Sequence, residues 1–211
     1  MHVPISIEHM LLDLFFASPW PGVLLWAALY TSDLLFTMAC ARLYQEGGRD
    51  HIMFEGSFEI TPYYQKDVDR LRRFSPRFLL AMAATCTVQA FLWWLTIGVA
   101  MNGYGVFMPD GYLFGLGAMV LVQLTVHVRH LRNYILFRAV AAGDGISGRI
   151  EYRRPIMLRL SSVELLAFTV VYAVIFAFTE SWFVLGGVVA CGALSLNHRL
   201  LSRGAAAAVR A

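Results

Sequence analysis

Residues 78–128 read FLLAMAATCTVQAFLWWLTIGVAMNGYGVFMPDGYLFGLGAMVLVQLTVHV, with no Lys or Arg between Arg77 and Arg129. A membrane-crossing helix needs about 20 apolar residues, so this stretch holds two, meeting around Asn102-Gly103. Segments 1–41 and 160–198 also lack basic residues. All seventeen Lys and Arg fall in three windows: Arg42 to Arg77, Arg129 to Arg159 and Arg199 to Arg210. Apolar stretches alternating with basic loops form the pattern that orients membrane proteins, with Lys and Arg kept on the cytoplasmic side.

Composition agrees. Apolar residues make up 58% of the 211, charged residues 15%, and mean hydropathy is +0.60. Soluble domains carry about 25% charged residues, so the chain has too little polar surface to be one. The reading is an all-α polytopic membrane protein and a single transmembrane domain over 1–211. The N-terminus is expected outside and the C-terminus inside. Spans are expected at about 22–44, 78–100, 112–140, 160–178 and 182–200, with inner loops at 45–77 and 139–160 and a tail at 201–211. A four-span alternative treats 160–200 as one broken element, but Glu180 in its middle favours a turn. Residues 1–21 form an outer segment in which 5–17 (ISIEHMLLDLFFA) is an interfacial helix, ended by Ser18-Pro19-Trp20-Pro21-Gly22.

Both inner loops carry an alternation of period two, at 52–61 and 146–153, which argues for short strands whose opposite charges pair. Thr61-Pro62 opens a helix with Tyr64, Val68, Leu71 and Phe74 on one side and an Asp69–Arg73 pair in support. Gly143-Asp144-Gly145 reads as a turn. Helix, strand and Pro-led helix thus occur twice, in 22–100 and 112–178, as a weak parallel repeat.

Cys40, Cys86 and Cys191 lie in apolar helices without a CxxC pair and read as small buried residues, with no disulfide framework. No signal peptide is expected, since a basic leading segment is missing. Sixteen Arg against one Lys suggest a GC-rich, prokaryotic genome, hence an inner (plasma) membrane location. Anionic lipid is the expected partner of the basic face, at about 1 kcal/mol per residue near the surface. Nucleic acid is not expected, because no basic stripe alternates with exposed aromatics.

Polar residues inside the spans are the functional candidates. A carboxylate at the depth of Asp33 costs about 2.5–3.5 kcal/mol on insertion scales. It lies on a stripe of Trp26, Tyr30, Asp33, Thr37, Cys40 and Tyr44 that must avoid lipid. Counting depth at ~1.5 Å per residue puts Gln89 and Gln123 level with Asp33, roughly 16 Å in, and His127 with Glu164 deeper. Acids beside a titratable His are the parts of a proton or cation path; hydrogen-bonded glue between helices is the alternative.

Arg129, Arg132 and Arg138 are candidates for lipid phosphates. His127 and His130, with His198 or His51, have spacing compatible with metal or haem ligation, a weak signal; no cofactor is specified. Asp50, His51, Glu55 and Glu59 form a candidate divalent-cation cluster or a set of solvated partners for Arg. Ser161, Ser162, Ser181 and Ser195 lack a GxSxG context, so nucleophilic catalysis has no support. Small residues at Gly186, Gly187, Ala190, Cys191 and Ala193 permit close helix approach, within the bundle or in a homo-oligomer. The leading function is a proton or small-cation channel or transporter. A non-catalytic membrane subunit or scaffold, and a haem or metal enzyme of the membrane, stand beside it.

Overall fold

The computed structural model describes residues 7–72, 75–143 and 148–210. Residues 5–6 of the expected interfacial helix, Arg73 and Phe74 on the inner-loop helix, and Asp144 to Ser147 of the second loop lie outside the described residues. Among the described residues five helices are long and apolar enough to cross a membrane.

Proline-led starts recur because Pro lacks the N–H that a first turn leaves unused. Helix α1 is Ile7–Ala17 and α2 is Trp20–Leu43, the latter running on through a π-helical turn, Tyr44–Gly48, to His51. Next come strand β1, Ile52–Phe54, and the short helix α3, Pro62–Asp69. Helix α4, Pro76–Trp93, continues through a second π-helical turn, Trp94–Gly98, to Met101. Ser75 caps it, accepting from Phe78 N at 3.2 Å while donating to the buried Asp67 carboxylate at 2.5 Å. Helix α5 is Pro109–Ala141 and strand β2 is Ile150–Tyr152. Helices α6, Arg154–Thr179, and α7, Trp182–Arg210, complete the chain. Glu180 ends α6 in the left-handed region (φ 49°), its N–H bonded to Phe176 O at 2.8 Å. The turn is real, so 160–200 forms two helices, each long and apolar enough to cross a membrane. The expected tail is helical as far as Arg210.

Helices α2 and α5 run side by side in the same direction, Ser32 meeting His127 and Tyr44 meeting Phe137. Helix α4 runs opposite to α2. Trp26 Nε1 donates to Thr85 Oγ1 at 2.8 Å, and Tyr30 stacks on Phe78 at 4.8 Å between centroids. Helices α6 and α7 form an antiparallel hairpin joined by Ser162 and Ser195, and α7 packs closely on α5. At the end remote from the basic windows, Ile97, Tyr112 and Leu116 form a core that Phe15 and Phe16 of α1 complete. At the basic end Cys40, Ile52, Phe137 and Val140 form another.

The inner-loop strands differ from expectation. They pair in parallel, Ile52 opposite Ile150 and Phe54 opposite Tyr152, but only over three residues each. Gly56 (φ 86°) turns the chain out of the strand. The cross-strand charge pairing does not form. Glu55 instead accepts from the backbone N–H of Arg154 at 2.8 Å, and Arg149 lies against the Met53 sulfur. The inner-loop helix stops at Asp69, before Leu71, whose φ is 48°.

Candidate functional site

A cavity of about 260 Å³ lies between α2, α5 and α7, closed toward the basic end by the segment Phe58–Thr61 and by α3. Its polar lining includes Asp33 and Thr37 from α2, Gln123, Arg129 and His130 from α5, and Glu59 from the loop. Tyr30 and Tyr64, joined hydroxyl to hydroxyl at 2.6 Å, and His198 add further polar surface.

Asp33 and His130 are the centre. The Nε2 of His130 lies 2.8 Å from Asp33 Oδ1 and 3.3 Å from Thr37 Oγ1. The carboxylate is within ion-pair distance but off the ring N–H line, so this oxygen makes no aligned hydrogen bond. The other ring nitrogen, Nδ1, is buried without a partner among the described residues. Glu59 faces the same pair. Burial raises its carboxyl above the usual range, against the opposing pull of the Thr61 N–H, which donates to Oε1 at 2.8 Å, and of His130.

Gln123 lines the cavity with Asp33, and depth counting explains why. Tyr112 stands beside Gly22, and each is eleven residues, roughly 16 Å of helix, before Gln123 and Asp33. Gln89 does not join them. It is fully buried beside Tyr112 and Gly22, near the start of α2. The depth count assumed flush helix ends, whereas α4 runs past the start of α2 through Trp94–Met101.

His127 and Glu164 also part company. Taking the backbone carbonyl of Gln123 as acceptor, His127 donates to it from Nδ1 at 2.7 Å and meets Ser32 Oγ through Nε2 at 2.6 Å. Glu164 binds two guanidinium groups, Arg129 Nε at 2.6 Å and Arg132 Nη1 at 3.2 Å. A paired carboxylate is the economical state there, since an unpaired one would pay the full desolvation cost.

The metal-spaced histidines go to three different partners: His127 to Ser32, His130 to Asp33, and His198 to Ser161 at 2.8 Å. Among the described residues no three His, Cys, Asp or Glu side chains gather as a metal would need. His51 turns its Nδ1 to Gly148 O at 3.1 Å, while Glu55 binds the Arg154 backbone and Glu59 turns to the cavity. The acidic cluster of the first loop is thus dispersed. Arg138 is exposed and outside the cavity lining.

Sequence reasoning missed His130 as the partner of Asp33 and Glu59 as a cavity wall. The spacing of His130 three residues after His127 was a signal for a shared face; nothing in the loop sequence said that Glu59 folds back. No family model matches the chain, and neither a curated protein nor a solved structure resembles it significantly.

Proposed function

We propose that this is a multi-pass protein of a prokaryotic plasma membrane, N-terminus outside, that passes protons or a small cation through the Asp33–His130 cavity. The observation that carries the reading is one cavity shared by two carboxylates and an imidazole, placed about halfway along helices suited to a bilayer. An acid within a span is costly and usually functional. An imidazole can accept a proton at one nitrogen and release another from the second. In this scheme Asp33 takes the proton or ion from the outer side and hands a proton to His130 Nε2. His130 releases a proton from Nδ1 toward Glu59, whose raised affinity suits it to hold that proton before the basic face. Gln123 and Thr37 supply neutral oxygens to a desolvated ion.

A second reading, a subunit or scaffold, draws on α4. Its apolar window is 11% buried, against 22–33% in the other spans, and a partner or second copy of the chain would pack there.

The test is proton and alkali-cation flux into liposomes at matched incorporation. Asp33→Asn is expected to abolish flux while elution and melting stay as in the wild type. Wild-type flux no greater than that of empty liposomes would overturn the transport reading and favour the subunit.

A further inference from the structure

The chain between α3 and α4 folds four cations into one pocket at the basic end. Helix α3 stops in a tight turn, with Leu71 at φ 48°. There the Leu71 N–H donates to Val68 O and the Arg72 N–H to Asp67 O, both at 2.9 Å. The reversal sets Arg72 and Arg77 beside Lys66 and Arg70, around a pocket of about 300 Å³ bordered by Pro76.

One carboxylate in the pocket answers these four charges. It belongs to Asp67, which is buried and holds Ser75 as well as Arg72, the latter at 3.4 Å. Arg77 is fixed without an acid, donating to Tyr63 O at 2.9 Å and lying over the Tyr63 ring. Lys66 and Arg70 are exposed and have no acidic partner among the described residues. Cations sharing a pocket repel one another, and an anion seated among them relieves that repulsion. Three guanidinium groups offer planar forks of donors, the geometry that suits phosphate oxygens.

Helix α4 begins at this pocket and runs away from the basic end, with 11% of its apolar window buried. From Pro76 in the pocket wall, helical spacing carries one face through Leu80, Ala84 and Phe91, all exposed. Charge therefore comes first, and apolar surface follows toward the middle of the span. The helix rises roughly 15 Å from Leu80 to Ala90, about the depth of one leaflet of a ~30 Å hydrocarbon core. A phosphate held by the cations would send its acyl chain down that face, head at the basic end and tail inward. That is the order a lipid of the basic-end leaflet requires.

We infer that one anionic phospholipid of that leaflet binds here, its phosphate among Lys66, Arg70, Arg72 and Arg77 and its acyl chain along Leu80 and Phe91. The inference rests on the reading that the helices cross a bilayer with their basic end at the anionic leaflet. It does not depend on proton or ion movement.

The test is native mass spectrometry of the full chain in detergent, offered phosphatidylglycerol or phosphatidylcholine at equal concentration. Wild type is expected to retain one phosphatidylglycerol in preference to phosphatidylcholine. Arg70→Gln, eluting as wild type, is expected to lower that retention about fivefold, and Lys66→Gln with Arg70→Gln about thirtyfold, the effects of one and two surface cations. Leu80→Gln, which alters no charge, should lower it too. Arg138→Gln, exposed on α5 and outside the pocket, should change nothing. Equal losses in Arg70→Gln and Arg138→Gln would reduce the effect to general surface charge and overturn the site. Full retention in Leu80→Gln would take the acyl chain off α4 and overturn the placement. Displacement of the lipid by millimolar inorganic phosphate would make this a soluble-anion site, and a lipid-free dimer would give the face to a second copy; either overturns the lipid assignment. Absence of any preference between the two lipids would overturn it as well. A chain soluble without detergent would overturn the inference together with the membrane reading, whereas absence of flux with lipid retained would count against the transport proposal alone.

Discussion

Asp33 was legible as an important residue because a carboxylate midway along an apolar helix has few tolerable explanations. Its neighbours were not, because a single sequence gives helix faces but not the sliding of one helix against another. Glu59 is the residue where this has a measurable consequence. Burial raises its folded pKa, so the folded protein binds more protons than the unfolded chain wherever an ordinary glutamate has already ionised. The sign follows: stability falls as pH climbs from about 4.3, the unfolded value, and levels off above the raised folded value. Glu59→Gln keeps an oxygen to accept from Thr61 N and removes the titration. Its melting temperature in detergent should therefore gain on the wild type as pH rises from acid to neutral. A difference that does not vary with pH would show that Glu59 ionises as it does in water.

At the level of elements, composition and periodicity revealed the five helices and the Glu180 turn, since each span is bounded by Arg, Pro or a polar turn. How the helices meet had to come from the structure, most clearly at the α5–α7 contact. A Cβ added at Gly117 would overlap the Phe183 backbone, and one at Gly186 would overlap the Phe114 carbonyl. Gly186 and Gly187 thus face α5 within the bundle, while Gly192 faces Thr169 of α6. Backbone cannot retreat as a flexible side chain can, so Gly186→Val should cost about 3 kcal/mol or more, at or beyond the top of the overpacking range. Gly204, on the same helix with open space around it, offers the contrast. There Gly204→Ala should be neutral or stabilise by up to about 1 kcal/mol through helix propensity. Thermal melts of the two variants measure the difference. A mild effect at Gly186 would mean that α5 and α7 do not approach this closely.

For the whole molecule, the distribution of charge follows the architecture, with the basic windows gathered at one end of the bundle. The ends of α2 and α5, the starts of α4 and α6, the parallel β1–β2 pair and the end of α7 all gather where the basic windows lie. Helix α1, the α4–α5 connection and the α6–α7 turn gather at the other end. A bilayer with an anionic cytoplasmic leaflet would hold the first end inside, by about 1 kcal/mol for each basic residue at its surface. Two positions report this from opposite sides: Tyr104, 78% exposed on the α4–α5 connection, and the exposed Arg153 just before α6. Cys40 and Cys191 are buried and Cys86 lies partly covered on α4, so a membrane-impermeant thiol reagent should find little background once Cys86 is replaced by Ser. In intact cells Tyr104→Cys is expected to react at once, and Arg153→Cys only after permeabilisation. The reverse pattern would place the basic end outside, where Glu59 would meet the proton before Asp33 and the direction assigned to the path would invert. Reaction of both in intact cells would mean that the chain does not divide the two sides, and a path through Asp33 would then have no gradient to carry.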